Sequence, residues 1–290
     1  MILKAFAKLN WTLDITGVRP DGYHLMDMLM QPVSLYDEIT LTPSDRLEIS
    51  TGGWPPSRAD ETNLAMRAAL LLRKHTSCSM GALIYLHKQI PVGAGLGGGS
   101  ADAAAVLHGL NKLWRINLSQ SELETLGLSL GADVPFCLRG GLCRTRGIGE
   151  ILDSYSCRSN YWLLVFQPCR GLSTGAVFSA WHASTVQVRP DTEAALQALE
   201  SGDFSLLCTS VANVLEPVSG ALCPEIPEAV SSLKDHGASA ALMTGSGSAV
   251  FGVFQSRKQA EKALSALSAR WRRIHLCHTQ SDSIRITEES

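Results

Sequence analysis

Pro91-Val92-Gly93-Ala94-Gly95-Leu96-Gly97-Gly98-Gly99-Ser100-Ala101-Asp102 holds five glycines within seven residues. Before it, residues 82–87 read as a strand. After it, Ala103, Val106, Leu107, Leu110, Leu113 and Trp114 recur at helical spacing. A glycine-rich turn from strand to helix presents free backbone amides at the positive end of the helix, which suits a di- or triphosphate. As a mere flexible connector, the same loop would carry the entropic cost of its glycines without need.

The common phosphate loops do not fit. Gly93, Gly95 and Gly98 satisfy G-x-G-x-x-G, yet a dinucleotide fold wants an acid about 20 positions on, where Lys112-Leu113-Trp114-Arg115-Ile116 offers none. A Walker loop ends in Gly-Lys-Ser/Thr, whereas Gly99-Ser100 has no lysine. Protein-kinase signatures are also missing.

Working outward, 290 residues suggest about two domains. With 45% hydrophobic and 18% charged residues, a disordered chain is excluded. The balance of 25 Lys+Arg against 27 Asp+Glu gives no global attraction for nucleic acid or an anionic membrane. The opening Met1 to Lys8 is too short and too charged for a signal peptide, and the charge-free stretch from His236 to Ser256 is broken by Gly and Ser. The eight cysteines show none of the usual zinc or redox spacings. The expectation is a reduced, cytoplasmic protein whose cysteines are mostly small buried hydrophobes.

Alternation predicts strands over Leu9–Ile15, closed by the Arg19-Pro20-Asp21-Gly22 turn, and then over 26–33, 38–42 and 46–50. Helices are expected near 62–74, from a capping box at Ser119–Glu122, and near 195–199, 226–234 and 260–267. A strand covers Tyr161–Gln167, and two more flank Gly245-Ser246-Gly247. The last ten residues are polar and expected to be loosely packed. Strands and helices mix without a regular βα beat, which predicts two α+β domains, residues 1–155 and 156–290.

The glycine loop resembles the phosphate-binding motif of the galacto-, homoserine, mevalonate and phosphomevalonate (GHMP) kinase superfamily. Ala7-Lys8-Leu9-Asn10 and Leu242-Met243-Thr244-Gly245-Ser246-Gly247-Ser248 match its other two motifs in the right order. Arg19-Pro20-Asp21-Gly22-Tyr23-His24 and Gly131-Ala132-Asp133-Val134-Pro135-Phe136 are similar to the branch acting on a cytidine diphosphate-linked methylerythritol. The resemblance implies a two-domain fold, with an N-terminal nucleotide-binding domain, a C-terminal α/β sandwich and the active site in the cleft between them. It implies ATP as co-substrate, Mg2+ held mainly by the nucleotide with no protein ligand named, and phosphorylation of the acceptor's 2-hydroxyl in non-mevalonate isoprenoid synthesis.

Carried over residue by residue, the resemblance makes Lys8 and Asp133 the catalytic pair. Pro91, Val92, Gly93, Ala94, Gly95, Leu96, Gly97, Gly98, Gly99, Ser100 and Ala101 become the ATP cradle, with Asn63 as a further nucleotide contact. It gives Asn10, Tyr23, His24, Thr174 and Phe178 to the acceptor, and Gly245 and Gly247 to the cleft floor. On residue type alone, Lys8 reads equally as a solvated strand lysine, Asp133 as a turn residue, and Asn63 as a helix cap.

Other readings are weaker. Gly171-Leu172-Ser173-Thr174-Gly175 fits the hydrolase elbow G-x-S-x-G, but no helical pattern is evident from the serine. His275 and Cys277 share a strand face while His278 points away, which suits a packed strand better than a metal site. A homoserine- or mevalonate-type kinase, or a nucleotide sensor without catalysis, would keep the same loop.

Overall fold

A computed structural model describes residues 1–183, 186 and 188–288. Strand β1 (Ile2–Val18) turns through Arg19–Gly22 into β2 (His24–Ser44), and the two pair antiparallel along most of their length. The Gly22 amide donates to the Arg19 carbonyl at 2.9 Å, closing the turn. The two strands expected at 26–33 and 38–42 are one continuous strand. Between them lies Asp37, a fully buried carboxylate inside the strand.

Strand β3 (Leu47–Gly53) runs through helix α1 (Leu64–Thr76) to β4 (Gly81–Lys88), and β3 and β4 pair in parallel. One half of the free edge of β2 takes β4, and the other half takes β5 (Leu142–Gly147), which pairs in turn with β6 (Ile151–Tyr155). Helix α2 (Gly98–Leu113) packs on β1 and β2 and against α1 and α4 (Val134–Arg139). Its run of buried small residues, Ala101 and Ala103 to Ala105, lets it lie close to the sheet. The expected capping box at Ser119–Glu122 opens α3 (Gln120–Leu128).

A second, antiparallel sheet has the order β10-β7-β9-β8, from β7 (Trp162–Phe166), β8 (Ala240–Met243), β9 (Val250–Phe254) and β10 (His275–His278). Around it lie α5 (Thr174–Ala180), α6 (Thr192–Ser201), α7 (Phe204–Ser210), α8 (Glu216–Leu222), α9 (Glu225–Asp235) and α10 (Arg257–Leu267). Cys277 on β10 is buried, with burial pushing its thiol up to about 12, so the strand reading of His275-Leu276-Cys277-His278 stands.

The tail departs from expectation. Residues 284–288 form β11, which pairs with Ile2–Ala5 on the outer edge of β1. All five residues of Ile284–Glu288 are half-buried or exposed, so composition hid an edge strand held by backbone bonds. The two sheets meet through Trp11, whose ring packs edge-on against Tyr161 and Phe251 at 5.5 and 5.9 Å between centroids. The cysteines also depart in part. Cys137, Cys143 and Cys277 are buried free thiols, but Cys169 and Cys223 form a disulfide. Their separation of 54 residues gave the sequence reading no signal. No helix among the described residues is long and apolar enough to cross a membrane.

Candidate active site

Lys8 and Asn10 stand two residues apart on β1 and so share a face. Irregularities in the β1–β2 ladder lie on both sides of this pair, between Phe6 and Lys8 and between Asn10 and Thr12. Such bulges re-aim side chains and free backbone groups. The freed Asn10 amide donates to Thr244 Oγ1 at 2.9 Å, linking β1 to the third motif. Lys8 is only 6% exposed in its side chain, so its charge needs partners. It donates to Asn10 Oδ1 at 2.9 Å and lies 3.3 Å from Asp133 Oδ2.

Asp133 arrives from the other side, at the start of α4. Pro135 favours a helical start there, and the Asp133 side chain makes no capping bond, so its carboxylate is left to Lys8 and to the cavity. One turn on, burial pushes the Cys137 thiol well up, which keeps it neutral and out of the chemistry.

The glycine loop runs beside this pair. The Lys8 amide donates to the Leu96 carbonyl at 3.0 Å, and the Ala249 amide to the Ala94 carbonyl at 2.9 Å. Gly95 lies so close to the third motif that a Cβ there would sit 2.3 Å from the Thr244 carbonyl. Gly97 caps α2 at φ +69°, and a Cβ would meet Lys8 Cγ at 2.8 Å. Gly98 has no positive φ; it is small because Ile90 Cγ2 would lie 2.9 Å from a Cβ. Gly97→Val should therefore cost about 1–2 kcal/mol in left-handed strain alone, and it would push Lys8 aside as well. ATP affinity, measured by titration on folded protein, is expected to fall by about tenfold or more. Unchanged affinity would make the loop a connector.

A cavity of about 830 Å³ opens between these elements. Lys8, Asn10, Gly95, Ser100, Asp133 and Gly245 line it, together with Tyr23, His24, Thr174 and Phe178. The His24 ring lies 5.3 Å from Phe178 and 5.5 Å, edge-on, from Trp181. Tyr23 is 59% exposed, at the rim. Thr174 shares a 2.9 Å hydrogen bond with Ser246. Gly247 does not line the cavity but packs its backbone on Met243.

Asn63 is not part of this cavity. Its side chain accepts from the Ala65 amide and donates to the Arg58 carbonyl, the work of a cap on α1. Contrary to expectation, a helix does begin after Ser173, but the Ser173 hydroxyl caps it by accepting from the Ala176 amide. Residues that sequence reasoning missed include Trp181 on the cavity wall and Asn213, whose amide bonds the Met243 and Gly245 carbonyls. Neither lies in a recognisable pattern.

A loop cradle beside a pair of buried lysine and half-buried aspartate, set between two α+β lobes, is the site of a small-molecule kinase of the GHMP class. Residues 63–141 match the GHMP kinases N terminal domain, and residues 195–273 match the GHMP kinases C terminal domain. The chain is 41% identical to a 4-diphosphocytidyl-2-C-methyl-D-erythritol kinase of Alkaliphilus metalliredigens (strain QYMF), over 96% of each chain. It is 41% identical over the full length of both to the protein of that name from Caldicellulosiruptor saccharolyticus. A crystal structure of 4-(cytidine 5'-diphospho)-2C-methyl-D-erythritol kinase superposes with a TM-score of 0.83 at 35% identity, covering 96% of this chain and 99% of that one. A homoserine kinase from Cytophaga hutchinsonii, with a TM-score of 0.74 at 20% identity, shares the fold. The chain belongs to the GHMP kinases and, within them, to the family of 4-diphosphocytidyl-2-C-methyl-D-erythritol kinases.

Proposed function

We propose that this protein transfers the γ-phosphoryl group of ATP to the 2-hydroxyl of 4-diphosphocytidyl-2-C-methyl-D-erythritol. The observation that carries this reading is the 3.3 Å Lys8–Asp133 pair, with the glycine loop beside it and an aromatic–histidine wall in the same cavity. Two lobes divided after Tyr155 would supply the phosphate loop from one side and the Phe178 wall from the other.

In this reading Asp133 accepts the proton as the acceptor oxygen attacks the γ-phosphorus, the bond to the β-phosphate oxygen breaks, and ADP leaves. Lys8 pairs with the Asp133 carboxylate and offers a remaining donor to the charge on the transferred group. Asn10 fixes the Lys8 ammonium. Phe178 and Tyr23 offer faces for a pyrimidine, and His24 offers donor and acceptor to its edge.

Among the described residues lining the cavity Asp133 is the one carboxylate, and Lys8 already neighbours it. This donor set does not build a magnesium cage, so an ion accompanying ATP would rest on phosphate oxygens.

An ATP-coupled assay across acceptor alcohols tests the reading: turnover with the cytidine-linked acceptor is expected, and turnover with homoserine or mevalonate alone would overturn it. Phe178→Ala and Tyr23→Ala should each raise the KM for the acceptor by about 5–150-fold, the equivalent of 1–3 kcal/mol of stacking. The KM for ATP should hold. Weakened ATP instead would mean that the two pockets are exchanged.

A further inference from the structure

Beneath the glycine loop lies a cluster that the chemistry above does not use. Lys88, the last residue of β4, is 3% exposed and pairs with both Asp37 and Asp102 through its ammonium. Asp37, on β2, also accepts the Gln89 and Ile90 amides, the latter at 2.9 Å, through its other oxygen. Asp102 is the fifth residue of α2, and its second oxygen, Oδ1, is buried without a hydrogen-bond partner.

The arrangement is expensive. Three ionisable groups are removed from water, and desolvation of such groups commonly exceeds what their attraction returns. Burial pushes the Asp102 carboxyl up to about 7 against the pull of Lys88. A core of apolar residues would hold sheet and helix together at lower cost, so stability is a poor account of this cluster.

Its position supplies a better one. Lys88 ends the strand that enters the loop and Asp102 lies one turn into the helix that leaves it, 14 residues apart in sequence. Asp37 holds the entering strand by both Lys88 and the next two amides. One ammonium thus ties the two ends of the loop to each other and to the sheet.

We propose that Asp37, Lys88 and Asp102 are positioning residues that close the base of the phosphate loop and hold its amides in the geometry that receives the triphosphate. The proposal rests on the reading of the loop as the ATP cradle. A preorganised cradle does not bear the ordering cost when ligand arrives, so untying it acts on ATP and not on the acceptor. Asp102→Asn keeps an acceptor for Lys88; Asp102→Ala does not.

The test compares steady-state kinetics of the full chain. Asp102→Ala is expected to raise the KM for ATP by about tenfold or more, with the acceptor KM and kcat within about threefold, and Asp102→Asn should restore near-normal ATP binding. The triple variant Asp37→Asn/Lys88→Met/Asp102→Leu carries no buried charge and should fold, yet show the same ATP defect. A KM for ATP within twofold of the unaltered protein in folded Asp102→Ala or in the triple variant would overturn the proposal, whatever happens to Tm. Hydrogen exchange on unaltered protein gives a second readout. The Gln89 and Ile90 amides should exchange as slowly as those of β4, and fast exchange there would also overturn it. Failure of the underlying reading is distinguishable: the unaltered protein would then not bind ATP, or Gly97→Val would leave ATP affinity unchanged.

Discussion

Asp133→Asn is expected to lower the single-turnover rate of phosphoryl transfer by about 10²–10⁴-fold, the span of a general base. Asparagine keeps the size and one acceptor of the carboxylate but cannot take the proton. Affinities for ATP and for the acceptor should change far less, because the lost interaction develops in the transition state. The fold should survive, since Asp133 makes no side-chain capping bond to α4 and its side chain is 34% exposed. A turn aspartate without a chemical role predicts the reverse pattern, with lower Tm and normal turnover per folded molecule. Rapid quench on protein verified as folded separates the two.

Lys8→Met should also be severe. The methionine fits the space of the lysine stem against Gly97, but the ammonium beside Asn10 and Asp133 is gone. Removing one preorganised donor from developing charge costs about 10²–10³-fold in turnover. The double variant Lys8→Met/Asp133→Asn is expected to be less impaired than the product of the two singles, as groups acting as one unit are. Independent, multiplying effects would place the two residues in separate roles.

What the sequence made legible was the part that pattern can carry. The glycine loop and its flanking strand and helix lie where their spacing put them, and Lys8 and Asp133, 125 positions apart in the chain, meet at 3.3 Å. That meeting could not be read from periodicity; it came through the resemblance of two motifs. The hidden features share a physical cause. The gap left between the strands expected at 26–33 and 38–42 contains Asp37, a buried carboxylate that a hydrophobic pattern does not show until its partner Lys88, 51 residues on, is brought beside it. The edge strand β11 is held by backbone bonds, which composition does not encode. Trp181 is the residue that caps the end of α5, with no alternation or helical repeat to mark it. Within the loop the glycines answer to different demands, which a motif does not distinguish: Gly97 takes the left-handed backbone, and Gly98 answers to Ile90.

The measurement closest to the central claim is phosphorus NMR of the purified protein with ATP, Mg2+ and 4-diphosphocytidyl-2-C-methyl-D-erythritol. A new phosphomonoester resonance, coupled to the acceptor carbon skeleton at the 2-position, is expected to grow in step with ADP. Folded protein that leaves the acceptor unchanged, or that releases ADP together with inorganic phosphate, would contradict it.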